Sequence, residues 1–334
     1  MNRVTIKDVA NYVNVSKSTV SQFLNNRFDY MSEETKGKIA QAIKELGYQP
    51  NYIARSLKQK RTSTIGVIVA NILHAFSTQV IRAIEDFYNE KDFHVIVCNA
   101  DDDPEKERNY INMLQAKQVD GLIVFPTGGN MDLYQRMEEA HYPIVFVDRI
   151  IENININAVL LDNEMASSMA VEHLIEKGHD KIGIITLPIE RFVTPRIERI
   201  NGYKKAMIDH GLSIINEYVK GLPIHKIQEA VEELLVLKSP PTAIIAGNDL
   251  ALMEILKVVR KQGIKIPDDI AIICIDDVSY ANIFDPALTT IRQPAFGIGE
   301  KAANLLLDHI EHKSEFKVAK VYRFEPELIV RSSC

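Results

Sequence analysis

The run at residues 4–25, VTIKDVANYVNVSKSTVSQFLN, decides how the chain reads. Thr5 can cap a first helical turn. Ile6, Val9, Ala10 and Val13 then recur at helical spacing, which predicts a helix over 6–13. Asn14-Val15 makes a tight turn, and Asn tolerates left-handed backbone better than most residues. Ser16 caps a second helix that carries Val20, Phe23 and Leu24 on one face and ends at Asn25-Asn26. After an irregular loop to Met31, Ser32 with Glu33, Glu34 and Thr35 opens a third helix through Leu46, stopped by Gly47. Two short helices joined by a tight turn and braced by a third make a helix-turn-helix, whose second helix lies in the major groove of DNA. Its exposed face offers Lys17, Ser18, Thr19, Ser21 and Gln22 as donors to phosphates or base edges. Thr5, Ser16 and Asn25, at the helix ends, complete the expected DNA-facing set. The competing reading is a plain three-helix bundle. The clustering of donors on the one helix the motif would put in the groove argues against it.

Charge supports the same division. Residues 1–64 carry 11 Lys or Arg against 5 Asp or Glu, while the rest of the chain carries 28 against 40. A basic head on an acidic body suits a polyanion at the head and another task for the body. The 334 residues, 46% apolar and 25% charged, suffice for a large core in two or three domains. No apolar run approaches the roughly 18 residues of a membrane helix. Asp8 and Asn11 interrupt what a signal peptide would need, so a cytoplasmic protein is expected. Cys98, Cys274 and Cys334 are too few and scattered for a disulfide framework or a thiolate metal site.

Past the head, Asn51 can cap a short helix over 52–58 directly after Pro50. Alone it is too short to be stable, so it should fold against DNA or a symmetry mate. From Thr64 onward, apolar runs at 65–69, 94–98, 121–125, 144–147, 159–161, 181–186, 243–246 and 271–275 alternate with amphipathic segments. The segments at 77–90, 104–116, 165–177, 199–210, 227–237 and 249–262 are examples. Almost wholly apolar strands separated by helices predict buried parallel sheets in two doubly wound halves. Ligands bind outside the carboxyl ends of such strands, and two halves form a cleft that can close as a hinge. The strand ends carry Asn71 and His74-Ala75-Phe76, Asp148-Arg149, Thr194, Arg196 and Arg199, Asn248-Asp249, and Asp276-Asp277. Carboxylates and guanidinium groups that bracket hydroxyls, with an aromatic platform, are the chemistry of sugar binding.

The run at 4–25, with LGYQPNYIARSL at 46–57, closely resembles the lactose/galactose-repressor family of bacterial transcription regulators, and the resemblance extends along the whole chain. It implies a small all-α helix-turn-helix head at 1–49, a hinge helix and linker at 50–62, and a periplasmic-binding-protein-like core at 63–334. The core would divide into an N-subdomain of 63–161 plus 292–323 and a C-subdomain of 162–291 plus 324–334. By the same match, two hinge helices enter the minor groove side by side. Leu57 wedges into the central base step and Ala54 allows the close approach. Arg199 and Asp276 match the family's effector ligands, followed by Asp148, Asn248 and Phe76, then Arg149 and Arg196. The chain departs from the pattern in three places: Asn14 replaces a usual Gly, Gln22 a usual Arg, and His74-Ala75-Phe76 a usual Asn-Pro-Phe.

The expected function is therefore a DNA-binding repressor, a homodimer on a palindromic operator, controlled by a small metabolite, with catabolic operon control the natural setting. The family's tetramers carry a C-terminal heptad tail, and residues 324–334 contain no heptads, so dimers are expected. A sugar-transport receptor is the binding-module rival, and the head argues against it. An enzyme would need a fingerprint such as GxGxxG, GxxxxGK[ST], HExxH or GxSxG, and none occurs. Neither a cofactor nor a metal is expected. Asp101-Asp102-Asp103 lacks the Gly and Glu of a calcium loop, and Asp103-Pro104-Glu105 reads as a helix start. Finally, Arg149, Arg196 and Arg199 outnumber Asp148 and Asp276. That leaves a residual positive charge and leads to the expectation of an anionic effector, a sugar acid or sugar phosphate.

Overall fold

The computed structural model describes residues 4–29, 31–49, 61–189, 193–312 and 318–334. The expected hinge helix, with Ala54 and Leu57, lies outside the described residues. The chain divides into two compact units, one ending at Thr62 and one beginning at Ser63.

The first unit is three helices, α1 (Ile6–Tyr12), α2 (Lys17–Leu24) and α3 (Glu33–Leu46). Each start is a side chain satisfying an otherwise orphaned N–H group. The Thr5 N–H donates to Asp8 Oδ2 at 2.8 Å, completing a capping box. Thr19 N donates to Ser16 Oγ at 3.0 Å, and Thr35 N to Ser32 Oγ at 3.2 Å. Asn14 between α1 and α2 takes φ 53°, and Gly47 closes α3 at φ 61°. Val9, Ala10, Val20, Ile39 and Ala42 are buried where the three helices meet. The larger of these contribute roughly 1.5–3 kcal/mol each.

The second unit holds two six-stranded sheets. The N-subdomain sheet has the order β11-β5-β4-β3-β1-β2 and is wholly parallel. Its strands are β1 (Thr64–Val69), β2 (His94–Asn99), β3 (Gly121–Val124), β4 (Ile144–Val147), β5 (Ala158–Leu161) and β11 (Val321–Phe324). The C-subdomain sheet has the order β12-β10-β9-β8-β6-β7, with only β12 antiparallel. It comprises β6 (Ile182–Thr186), β7 (Val219–Gly221), β8 (Ala243–Ala246), β9 (Ala271–Ile275), β10 (Thr289–Arg292) and β12 (Glu327–Ile329).

Helices cover both faces of each sheet, which is why the central strands are continuous apolar runs. On the N-subdomain, α4 (Ala75–Asn89) and α11 (Ala295–Glu311) cover one face, and α5 (Pro104–Ala116) and α6 (Met131–Glu139) the other. On the C-subdomain the pairs are α7 (Asn163–Glu176) with α8 (Thr194–Asp209), and α9 (Ile224–Leu235) with α10 (Asp249–Gln262). The α7–α8 contact depends on Gly202, where any Cβ would strike the Glu164 backbone. The chain passes between subdomains three times: from β5 into α7, from β10 into α11, and from β11 into β12.

Candidate functional site

On the head, α2 presents Lys17, Ser18 and Gln22 to solvent, with Thr19 and Ser21 half-buried. The remaining polar residues of the expected set have structural duties. Thr5 and Ser16 cap helices, and Ser16 Oγ lies 2.8 Å from Thr19 Oγ1. Asn25 donates from Nδ2 to the Ser21 carbonyl at 2.6 Å, closing the end of α2. Lys17, Ser18 and Gln22 are therefore the exposed side chains of the expected set that have no capping duty, on a helix whose ends are held by the others.

In the core, all nine residues expected at the effector site line one cavity between the subdomains: Asn71, His74, Phe76, Asp148, Arg149, Arg196, Arg199, Asn248 and Asp276. It has about 40 Å³ of open space, room for about one water. Two placements differ from expectation. Arg196 and Arg199 are not at a strand end. They stand on α8, which starts at Thr194 with Pro195 in its first turn rather than at 199. Phe76 likewise belongs to the first turn of α4 and is buried. Two of the acids sit on backbone that L-residues seldom adopt, Asp148 at φ 67° and Asp276 at φ 152°. Strain of this kind concentrates at ligand sites.

The charges are more nearly compensated than the sequence suggested. Arg149, buried, donates from Nη1 to Asp102 Oδ1 at 2.8 Å and to the Pro126 carbonyl at 3.1 Å, and its Nε lies 3.4 Å from Asp148 Oδ2. Arg196 donates from Nη2 to Asp102 Oδ2 at 3.2 Å and from Nη1 to the Pro188 carbonyl at 2.9 Å. Burial and the neighbouring Arg149 push Arg196 down to about 10, against the pull of Asp102. Burial works against the charge on Asp102. Arg149 and Arg196 outweigh it and hold its carboxyl below the usual range.

Arg199 donates from Nε to Asn163 Oδ1 at 2.9 Å and from Nη1 to the Gly247 carbonyl at 2.5 Å. Asp276 accepts from Gln293 Nε2 at 2.6 Å and from the Asp249 N–H at 3.1 Å. Burial and the nearby Asp249 push Asp276 up to about 6, although Arg199 draws it down. Asp249 accepts from the Ala75 N–H at 2.8 Å and pairs with His74 Nδ1 at 2.6 Å, which ties the N-subdomain to the start of α10. Asn248 caps α10, accepting from Ala251 N at 2.8 Å.

Gln293, Phe125 and Ser77 also line the cavity and were not foreseen. Asp102, not foreseen either, lies outside that lining and pairs with Arg149 and Arg196, and Asp249, read at a strand end beside Asn248 but not taken as a site residue, pairs with His74. Among the described residues, four carboxylates thus neighbour three guanidinium groups and His74, and the excess of positive charge that led to an anionic effector is not found. Asp102 pairs with residues 47 and 94 positions away, so no local pattern announces it. Gln293 follows β10, a strand the alternation did not predict. Asp103, by contrast, does cap α5 with Pro104 at its start.

A second cavity, of about 520 Å³, lies by the amino ends of β4, β5 and β11, among Tyr142, Ile144, Asn157 and His309. It contains none of the charged groups above. Among the described residues no group of three or more His, Cys, Asp or Glu is placed to hold a metal ion. None of the described helices is long and apolar enough to cross a membrane.

A helix-turn-helix unit on one chain with a two-sheet α/β core that encloses a polar cavity defines a DNA-binding transcriptional regulator. Residues 5–51 match the family model of bacterial regulatory proteins, lacI family, and residues 171–334 that of the periplasmic binding protein-like domain. Over 332 residues, 98% of each chain, the sequence is 46% identical to the probable HTH-type transcriptional regulator EndR of Paenibacillus polymyxa. It is 35% identical to the HTH-type transcriptional repressor PurR of Klebsiella pneumoniae (strain 342), covering 98% of this chain and 96% of that one. Among solved structures, the Lac repressor bound to ONPG in the repressed state superposes over 100% of both chains with TM-score 0.86 and 25% identity. The cellobiose complex of the transcriptional regulator CelR covers 99% of this chain and 100% of its own, with TM-score 0.73 and 27% identity. The chain belongs to the lacI family of bacterial regulatory proteins.

Proposed function

We propose that this regulator is a repressor whose affinity for a palindromic operator is set by an uncharged, polyhydroxylated metabolite, a neutral sugar, bound in the cavity between the subdomains. The observation that carries this reading is the internal charge compensation around the cavity. Each guanidinium already has anionic or carbonyl partners, while the acids and amides remain as acceptors and donors suited to hydroxyl groups. This replaces the anionic effector expected from the sequence. The CelR–cellobiose complex and the ONPG complex of Lac repressor, both structural neighbours, support a sugar-like occupant. The Lac repressor dimer bound to operator supports a homodimer acting on two half-sites.

On the DNA side, Lys17, Ser18 and Gln22 are proposed to read bases. Ala54 and Leu57 of the hinge segment would work in the minor groove. The cavity is far smaller than the roughly 300 Å³ or more of a typical ligand site. Binding then requires the subdomains to separate and reclose around the ligand, using the three chain crossings as a hinge. The test is calorimetric titration of the full chain with a panel of neutral mono- and disaccharides and their acid and phosphate forms, followed by operator binding with and without the hit. Binding of a neutral sugar that changes operator affinity supports the reading. Binding only of acid or phosphate forms refutes it.

A further inference from the structure

We propose that Asp102 is a specificity-determining residue that disfavours anionic ligands: from outside the cavity lining it gives Arg149 and Arg196, which do line the cavity, the counter-charge that a ligand's own carboxylate or phosphate would otherwise bring. The inference rests on the reading of the cavity as the effector site. Asp102 belongs to the turn after β2, in the N-subdomain. Arg149 follows β4 in the same subdomain, and Arg196 stands on the first turns of α8 in the other. The two oxygens of one carboxylate divide between them, Oδ1 to Arg149 at 2.8 Å and Oδ2 to Arg196 at 3.2 Å. Each guanidinium otherwise meets a backbone carbonyl, Pro126 for Arg149 and Pro188 for Arg196, and Arg149 has only the longer 3.4 Å contact to Asp148. Among the described residues Asp102 is therefore the carboxylate that ion-pairs with both, while Asp148 reaches Arg149 at 3.4 Å and acts on Arg196 only from a distance.

Its backbone is suited to that task. Asp101 and Asp102 take φ 54° and 55° in succession, a conformation that non-glycine residues seldom hold for two steps. The carboxylate is thus aimed across the gap by a strained turn.

A ligand anion approaching these arginines from the cavity meets groups whose charge Asp102 already offsets, and the nearby carboxylate repels it. Asp102→Asn leaves two neighbouring, largely buried guanidinium groups without a shared counter-charge. Buried cations in that condition recruit anions. The probe is sulfate, which needs no knowledge of the effector. Thermal unfolding of the full chain is followed by circular dichroism in sodium sulfate and in sodium chloride of matched ionic strength. The excess midpoint rise in sulfate should be at least about 2 °C larger for Asp102→Asn than for the wild type. Asp102→Glu, which keeps a carboxylate, should behave as the wild type, and Asp102→Asn with Arg196→Gln should lose the gain.

Equal sulfate responses in wild type and Asp102→Asn overturn the proposal, as does a gain that survives Arg196→Gln. Asp102→Ser serves if the amide variant does not fold. Failure of both to fold also overturns it, since removing a specificity residue must leave the fold intact. A sulfate gain together with a failed sugar panel would sink the neutral-sugar reading while still showing that Asp102 keeps anions from the two guanidinium groups.

Discussion

Replacing Asp276 with Asn should stabilise the core at neutral pH and should cease to do so in mild acid. The carboxyl is fully enclosed, and its pKa rises from the ordinary 3.8 to about 6 through burial and the nearby Asp249. A difference of about 2 between folded and unfolded pKa is worth about 3 kcal/mol. Because the folded value is the higher one, the folded state holds the proton more tightly. The associated stability is fully present below about pH 4 and is lost as pH rises through about 6. Above that the fold carries a buried carboxylate against its preference.

An amide cannot ionise, so Asp276→Asn is spared the full 3 kcal/mol at pH 7.5. It keeps one oxygen for the two donors now served, Gln293 Nε2 and the Asp249 N–H. Losing one of those bonds costs about 1 kcal/mol. The net expectation is about 2 kcal/mol of added stability at pH 7.5, turning to a loss of about 1 kcal/mol at pH 4. Urea unfolding followed by circular dichroism at several pH values between 4 and 8 measures it, the chain having no tryptophan to report by fluorescence. A difference between variant and wild type that stays constant across that range would refute the reasoning.

The other expectations are as specific. Arg199→Ala should weaken binding of the identified effector by roughly 2–5 kcal/mol, as for a buried polar cluster losing its cation, while operator binding without ligand stays unchanged; calorimetry and gel shift check the two halves. Gln22→Arg should move the preferred half-site from adenine toward guanine at one position, because a Gln amide suits adenine N6 and N7 and a guanidinium suits guanine O6 and N7; identical half-sites selected from random DNA by both proteins would exclude that role. Gly202→Ala should destabilise the core by about 1–3 kcal/mol by forcing α8 off the Glu164 backbone, and an unchanged melting midpoint would show that the helices can part without cost.

What could be read from the sequence was what is local. Helix caps at Thr5, Ser16, Ser32 and Asp103, the left-handed Asn14 and the closing Gly47 are decided within four residues of themselves, and they stand where the pattern put them. So do the central strands, whose burial on both faces leaves an apolar run. The short strands at or next to the sheet edges were less legible. β7, β10, β11 and β12 have three or four residues each and take their conformation from pairing with distant partners, β11 with β5 and β12 with β10. The candidate site divides the same way. Residues at ends of legible strands were found. Asp249 was read beside Asn248 at a strand end but not taken as a site residue, because its meaning lies in a bond to His74, 175 positions earlier. Pro195 was the missed signal for the start of α8, since proline favours a first helical turn.

Polar links that cross from one subdomain to the other beside the cavity include His74 and the Ala75 N–H to Asp249, Asp102 to Arg196, and the Ile150 N–H to Thr194 Oγ1 at 3.1 Å. These join loops or first helical turns rather than sheet interiors, so the subdomains can part without breaking either core. On the proposed reading, a ligand controls the protein only through the difference in its affinity for the parted and joined arrangements. A neutral sugar can enter and still leave the ion pairs to re-form around it, because it brings no charge to compete for Arg149, Arg196 or Asp249. An anionic ligand would compete with Asp102 for both guanidinium groups and so weaken one of these links as it binds. On the proposed reading the charge class of the effector and the joining of the subdomains depend on the same carboxylate, and a substitution at Asp102 should alter both together.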